Sequence, residues 1–173
     1  MAISDAARGF APIASENAKV LVLGTLPSQA SLGAGEYYAN PQNGFWRIIA
    51  DLFEMPAGLS YRERTLRLSS AGVAIWDVCE AAHRPGSLDA SIQCASVVAN
   101  DFDRFLRKHR GVRLVCFNGA KAANLYLRCV LPGLDEPLKS IRRETLPSTS
   151  PANASIPYPE KRSRWSIVQR ECE

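Results

Sequence analysis

The chain has 173 residues, 46% of them hydrophobic and 22% charged, with a formal net charge of +4. That balance fits one globular domain with a sizeable core. No run of about 18 apolar residues occurs, so no membrane-spanning helix is expected. The charge is uneven: residues 101–173 carry 14 Lys and Arg against 8 Asp and Glu, while residues 1–100 carry 7 against 9. A basic half admits a nucleic-acid partner as well as an ordinary solvated surface. The five cysteines are odd in number and form no CxxC pair, which reads as reduced thiols of a cytoplasmic protein. Two histidines, His83 and His109, are too few for a histidine-rich metal site.

Residues 1–17 lack the basic flank and apolar run of a secretory signal and read as a flexible arm, with residues 18–173 forming a single domain. Lys19 to Gly24 is a short apolar run ending at glycine, the pattern of a buried parallel strand. A polar, glycine-rich loop follows, from Thr25 to Glu36. Tyr37 to Trp46, YYANPQNGFW, mixes aromatics and amides in the way a pocket wall does. Phe45, Ile48, Ile49, Leu52 and Phe53 recur at helical spacing, and Pro56 ends the pattern. Ser60 with Glu63 forms a capping box for a helix over 60–70.

Gly72 to Trp76 reads as the second strand, followed by the polar loop His83 to Asp89. Asn100 caps a helix carrying Phe102, Phe105 and Leu106. Arg113 to Phe117 is the third strand, and Asn118-Gly119 turns into a helix over 120–131. Ser140 to Leu146 is the fourth strand, and a final helix begins near Pro159. Strands separated by helices predict a three-layer α/β/α sandwich around a mostly parallel, four-stranded sheet. Ligands bind such sheets beyond the carboxyl ends of the strands, and the unusual residues of this chain gather there.

Several of these residues admit two readings. The turn Gly24 to Ser28 either cradles a ligand with backbone amides or is a simple turn; no GK[ST] follows, so it is no Walker loop. Asn43 either caps the helix that follows or places a water. Tyr38 fits no apolar stripe and is the better stacking candidate, whereas Phe45 fits helix packing. Ser148, Thr149 and Ser150 form a hydroxyl-rich turn that binds phosphates or simply turns the chain. Asn118 reads a base edge or caps a turn. Asp77 and Asp89 are the carboxylates near strand ends, and Asp77 reads as an exposed or ion-paired group unless it serves a site.

Together these segments resemble the uracil-DNA glycosylase superfamily. Gly24-Thr25-Leu26-Pro27 resembles its first motif, and Leu146 to Pro151 its second, a proline–serine loop that presses into DNA. Within the superfamily the chain looks most like the DNA-deoxyinosine (hypoxanthine-DNA) glycosylase branch, family 6. The likeness rests on five fragments in order: Gly24 to Ser28, Tyr37 to Trp46, Trp76 to Asp89, Phe117 to Ala122 and Leu146 to Asn153. The resemblance implies a monofunctional base-excision repair enzyme that flips a deaminated base, hypoxanthine, out of double-stranded DNA and hydrolyses its N-glycosidic bond. The same fold also serves mismatch-specific uracil or thymine glycosylases, or a non-catalytic module that binds lesion DNA.

The first motif here holds Thr25 and Leu26 where strongly active relatives carry Asp, Asn or Glu. By resemblance the water-holding role therefore moves to Asn43. Thr25, Leu26, Tyr38 and Asn118 are then the expected base contacts. Pro147, Ser148, Thr149 and Ser150, with Lys121, Arg142 and Arg143, are the expected DNA grip. No metal or organic cofactor is implied, and a monomer is expected.

Overall fold

The computed structural model describes residues 6–173. Its elements in chain order are β1 (Ala7–Arg8), β2 (Val20–Gly24), α1 (Gln29–Ala34), α2 (Phe45–Leu52), α3 (Tyr61–Ser70), β3 (Val73–Asp77), β4 (Cys79–Ala82) and β5 (Val98–Ala99). After these come α4 (Phe102–Lys108), β6 (Leu114–Asn118), α5 (Ala120–Cys129), α6 (Glu136–Lys139), β7 (Arg142–Leu146) and α7 (Tyr158–Cys172).

Four parallel strands form the central sheet in the order β3-β2-β6-β7. Every residue of β2, β3 and β6 is buried, as continuous apolar runs predict for strands covered on both faces. Alternation then divides the side chains between two cores. Leu21, Leu23, Trp76, Val115 and Phe117 pack with α4 and α5 through Phe102, Phe105, Leu125 and Tyr126. Val20, Val22, Ile75, Leu114 and Cys116 pack with α2, α3 and α7 through Phe45, Ile49, Leu68, Trp165 and Val168. The expected three-layer α/β/α sandwich is the observed architecture. Strand order reverses direction at β2, since β3 lies on one side of it and β6 on the other. That reversal is where such sheets open a crevice.

The capping box of α3 forms as expected: Ser60 N–H donates to Glu63 Oε2 at 2.7 Å and Glu63 N–H to Ser60 Oγ at 3.2 Å. Other expectations need correction. Residues 6–17 do not hang free as part of a flexible arm. Ala7 and Arg8 pair with Ala82 and Ala81, and Ile13 exchanges two 2.9 Å backbone hydrogen bonds with Ile75. Residues 1–5 lie outside the described residues. The loop expected over 25–36 contains helix α1, because Ser28 Oγ accepts from Ser31 N–H at its start and Gly35, at φ 67°, ends it. Asp101, not Asn100, caps α4; Asn100 instead donates its side-chain amide to the Asp77 carbonyl at 2.8 Å. A small antiparallel sheet, β1-β4-β5, was not anticipated. Its strands run two to four residues, too short for a period to show.

Helix α7 is fixed to the sheet by Trp165. The indole is fully buried, meets Phe45 edge to face at 5.9 Å, and donates Nε1–H to the Pro147 carbonyl at 2.9 Å. A Trp165→Phe variant keeps most of the packing and strands that carbonyl. It is expected to lose about 1–3 kcal/mol of unfolding free energy in urea titrations, against about 3–5 kcal/mol for Trp165→Ala.

Candidate functional site

The carboxyl ends of the four parallel strands surround a cleft of about 420 Å³. Gly24 and Asp77 stand at the ends of β2 and β3, Asn118 at the end of β6, and Ser148 to Asn153 follow β7. Tyr37, Tyr38, Asn40 and Asn43 form a further wall, and the loop from Ser87 to Ala90 another.

The first turn is rigid because its carbonyls are taken. Val78 and Cys79 donate N–H groups to the Gly24 and Thr25 carbonyls at 2.9 and 3.0 Å. Arg84, with its side chain fully buried, donates to the Leu26 carbonyl at 3.1 Å, to the Pro27 carbonyl, and to the Gly86 carbonyl at 3.3 Å. Thr25 is buried, and its hydroxyl donates to Asp89 Oδ1 at 2.6 Å. Leu26 lines the cleft and packs into the core below. The glycine at position 24 is required by packing: a Cβ there would stand 2.6 Å from Asp77 Oδ1 and 3.3 Å from the Tyr38 hydroxyl.

Tyr38 lines the cleft with φ at 56°, a left-handed backbone that costs a non-glycine residue about 1–3 kcal/mol. Its neighbours hold it there. Tyr37 hydroxyl donates to the Ala11 carbonyl at 2.9 Å, Trp46 Nε1–H donates to the Tyr37 carbonyl at 2.9 Å, and Ala39 N–H donates to Ser31 Oγ at 3.1 Å. The Tyr38 ring stacks on Phe45 at 3.9 Å and 22°. Phe45 and Trp46 are both buried in the core, as their place on the helix stripe predicts. One face of Tyr38 is therefore occupied from below, which leaves only the other for a ligand.

Gly44 holds the cap position of the helix that follows, and Asn43, one residue earlier, supplies the capping bond: its Oδ1 accepts from Phe45 N–H at 2.9 Å. An amide oxygen has two lone pairs, so capping leaves one for a further donor. Asn40 sets up this geometry. Its carbonyl accepts from Asn43 N–H and its Oδ1 from Gln42 N–H, both at 2.9 Å.

Asn118 and Thr149 lock together. Asn118 Nδ2–H donates to Thr149 Oγ1 and Thr149 N–H donates to Asn118 Oδ1, both at 2.9 Å and both buried. Gly44 N–H adds a 2.9 Å bond to the Thr149 carbonyl. Thr149 is thus a structural anchor, which corrects its expected place in an exposed phosphate grip. Asn118 has spent its oxygen and one N–H on Thr149, so a base edge could meet only its remaining N–H.

Pro147 is buried, with its carbonyl held by Trp165. Ser148 and Ser150 line the cleft, and Ser148 Oγ accepts from Ser150 N–H at 3.2 Å. Lys161 secures the end of this segment by donating Nζ–H to the Asn153 carbonyl at 2.8 Å. Lys121 lines the cleft at the start of α5. Arg142 and Arg143 do not join it. They begin β7, at the end of the sheet opposite the cleft. Arg142 pairs with Glu171 at 2.5 Å, and Arg143 donates to the Lys139 and Ile141 carbonyls at 2.6 and 3.1 Å.

Sequence reasoning passed over two groups. Arg84 sat unremarked in a polar loop, although it staples that loop to the first turn. Asp77, expected to be exposed or ion-paired, is only 4% accessible and stands at the cleft floor. Burial raises its carboxyl to about 7; Asp89 adds to the rise and Arg84 opposes it. The signal available was its position, one residue past a fully apolar strand. No group of His, Cys, Asp and Glu suited to holding a metal occurs among the described residues.

Comparison with known proteins shows the family of the chain. The model of the uracil DNA glycosylase superfamily matches residues 11–169. A protein of Methanosarcina acetivorans named Hypoxanthine DNA glycosylase is 35% identical over 167 residues, spanning 94% of this chain and 98% of its own. A Methanosarcina barkeri protein of the same name is 33% identical over 116 residues, 66% of this chain and 72% of its own. The solution NMR structure of an M. acetivorans protein, named there as a candidate uracil DNA glycosylase, superposes with a TM-score of 0.80 at 33% identity, covering 96% of this chain and 98% of that one. With the superfamily model matching residues 11–169 and a relative 35% identical covered over 98% of its length, the chain belongs to the uracil DNA glycosylase superfamily.

Proposed function

We propose that this protein removes hypoxanthine from double-stranded DNA by hydrolysing the N-glycosidic bond of deoxyinosine, leaving an abasic site. The observation that carries the reading is near full-length similarity to proteins named Hypoxanthine DNA glycosylase, on a cleft whose first turn offers no carboxylate or amide for a water. A stacked base is out of reach, so the target must flip into the cleft at a cost of a few kcal/mol. Thr25 and Leu26 wall the cleft, Tyr38 offers its free face to the base, and the remaining N–H of Asn118 meets a polar edge. Asn43, at the start of α2, holds the attacking water with its second lone pair. An amide is too weak a base to take the proton in earnest, so its contribution is positioning.

DNA grip falls to Ser148, Ser150 and Lys121, helped by the N-terminal end of α5, which has no side-chain cap. The protein acts as a monomer and needs no cofactor. Its five cysteines are all free, in keeping with the cytoplasm, and none of the described helices is long and apolar enough to cross a membrane.

Duplexes carrying one deoxyinosine, deoxyuridine or deoxyxanthosine, treated with the protein and then cleaved at abasic sites, test the reading. Strand scission is expected with all three and fastest with deoxyinosine. Faster cleavage at uracil would reassign the enzyme to uracil repair, and no scission at enzyme excess would refute catalysis. Asn43→Ala should lose about 1 kcal/mol of stability with its cap. The same variant should slow single-turnover excision by about a hundredfold. Asn43→Asp, which keeps the capping oxygen, should restore the stability.

A further inference from the structure

We propose that Asp77 reads the flipped base, and that it does so as a neutral acid whose O–H donates to the base oxygen created by deamination. This rests on the glycosylase reading and names a contact beyond it. Most other polar side chains of the cleft floor are committed, the Tyr38 hydroxyl excepted. Thr25 gives its hydroxyl to Asp89, Asn118 is held at two points by Thr149, and Asn43 caps α2. Asp77 is not committed. Its Oδ2 is fully buried and bonds to no group among the described residues, while the residue lines the cleft.

A buried carboxylate needs a cation in contact, and Asp77 has none. Arg84 is the nearby guanidinium, but its hydrogen bonds go to backbone carbonyls, and its ion-pair partner, at 3.9 Å, is Asp89. The other groups around Asp77 are Asp89, the hydroxyls of Tyr37 and Tyr38, and the Cys79 thiol. Asp89 opposes ionisation of Asp77, burial opposes it more, and Arg84 alone favours it. The neutral carboxyl relieves the conflict and brings a donor to the floor beside the Tyr38 hydroxyl, which also bonds to no group among the described residues.

Hypoxanthine, uracil and xanthine each carry a carbonyl beside a ring N–H. A carboxylic acid carries the complement, O–H beside C=O, and can form both bonds at once. Once ionised, Asp77 offers acceptors alone and faces the base carbonyl lone pair to lone pair. Recognition should therefore weaken as pH rises through about 7. Stability should follow the same sign. Between the unfolded value near 4 and the folded value near 7, the native state holds the proton more tightly. Native stability then falls with rising pH across that window and levels off above it.

The test compares the intact protein with Asp77→Asn and Asp77→Ala, by single-turnover release of hypoxanthine and uracil between about pH 5.5 and about pH 9. Asparagine presents an N–H and a C=O in the same place without titrating. The intact protein should slow about tenfold per pH unit above about 7. Asp77→Asn should hold a flat profile within a few fold of the acidic plateau, and Asp77→Ala should lose about a hundredfold at every pH. Thermal melts should show Asp77→Asn gaining on the intact protein as pH rises. Affinity for abasic-site DNA, which has no base to read, should be the same for all three.

A folded Asp77→Asn that titrates like the intact protein overturns the assignment. So does one that is inactive, because carboxylate chemistry would then matter rather than the donor. Failure of the intact protein to release any base refutes the glycosylase reading instead, so the two failures are distinguishable.

Discussion

Thr149 spends its N–H, its carbonyl and its hydroxyl on three bonds that set the width of the cleft. Two run to the amide of Asn118 at the end of β6 and one comes from Gly44 at the start of α2. Three chain segments distant in sequence meet at one buried residue, and their bonds reinforce one another. The turn that follows β7 cannot drift from the wall bearing Tyr38 and Asn43 while these bonds hold. Trp165 and Lys161 pin the two ends of the same turn from α7. A helix that contributes no residue to the cleft lining thereby governs its geometry.

On the opposite wall the locking is done by backbone carbonyls. Those of Gly24 to Pro27 are all engaged, by Val78, Cys79 and the single guanidinium of Arg84. A site built this way spends its hydrogen-bonding capacity on rigidity and keeps few free groups for a ligand. That rigidity suits the role proposed for Asn43, in which an amide contributes by placing a water rather than by basicity. The strained Tyr38 backbone belongs to the same scheme, because it persists only where neighbours over-determine it.

Much of the fold was legible in the residues. Three apolar runs announced buried strands, and the stripe of Phe45, Ile48, Ile49 and Leu52 announced α2. These signals are local and repeat. The small sheet β1-β4-β5 repeats nothing, because its strands are too short to display a period and exist through their partners. Asn100 and Asp101 are both good caps, and only the hydrogen bond that Asn100 donates to the Asp77 carbonyl decides between them. In the site, the cleft walls and the capping role of Asn43 could be read in advance. The burial of Asp77 could not, since it depends on β3 lying beside β2 with a glycine opposite at position 24. The paired arginines misled for a related reason: basic residues advertise charge, and only the sheet tells which end of a strand they occupy.

Their true position bears on how the sheet ends. An open parallel sheet has two edges, and each is a template for another chain to pair with. Here β3 and β7 are those edges. The β3 edge is covered by the chain itself through the paired bonds of Ile13 and Ile75. Among the described residues nothing pairs with the β7 edge, which carries Arg142, Arg143 and Glu144, with Glu171 of α7 bridging Arg142 and Arg113. One edge is blocked by backbone and the other by charge. The bridge at Ile13 and the arginine pair therefore stand at the two edges of the sheet, where unpaired strands are the part of a fold most exposed to pairing with another chain.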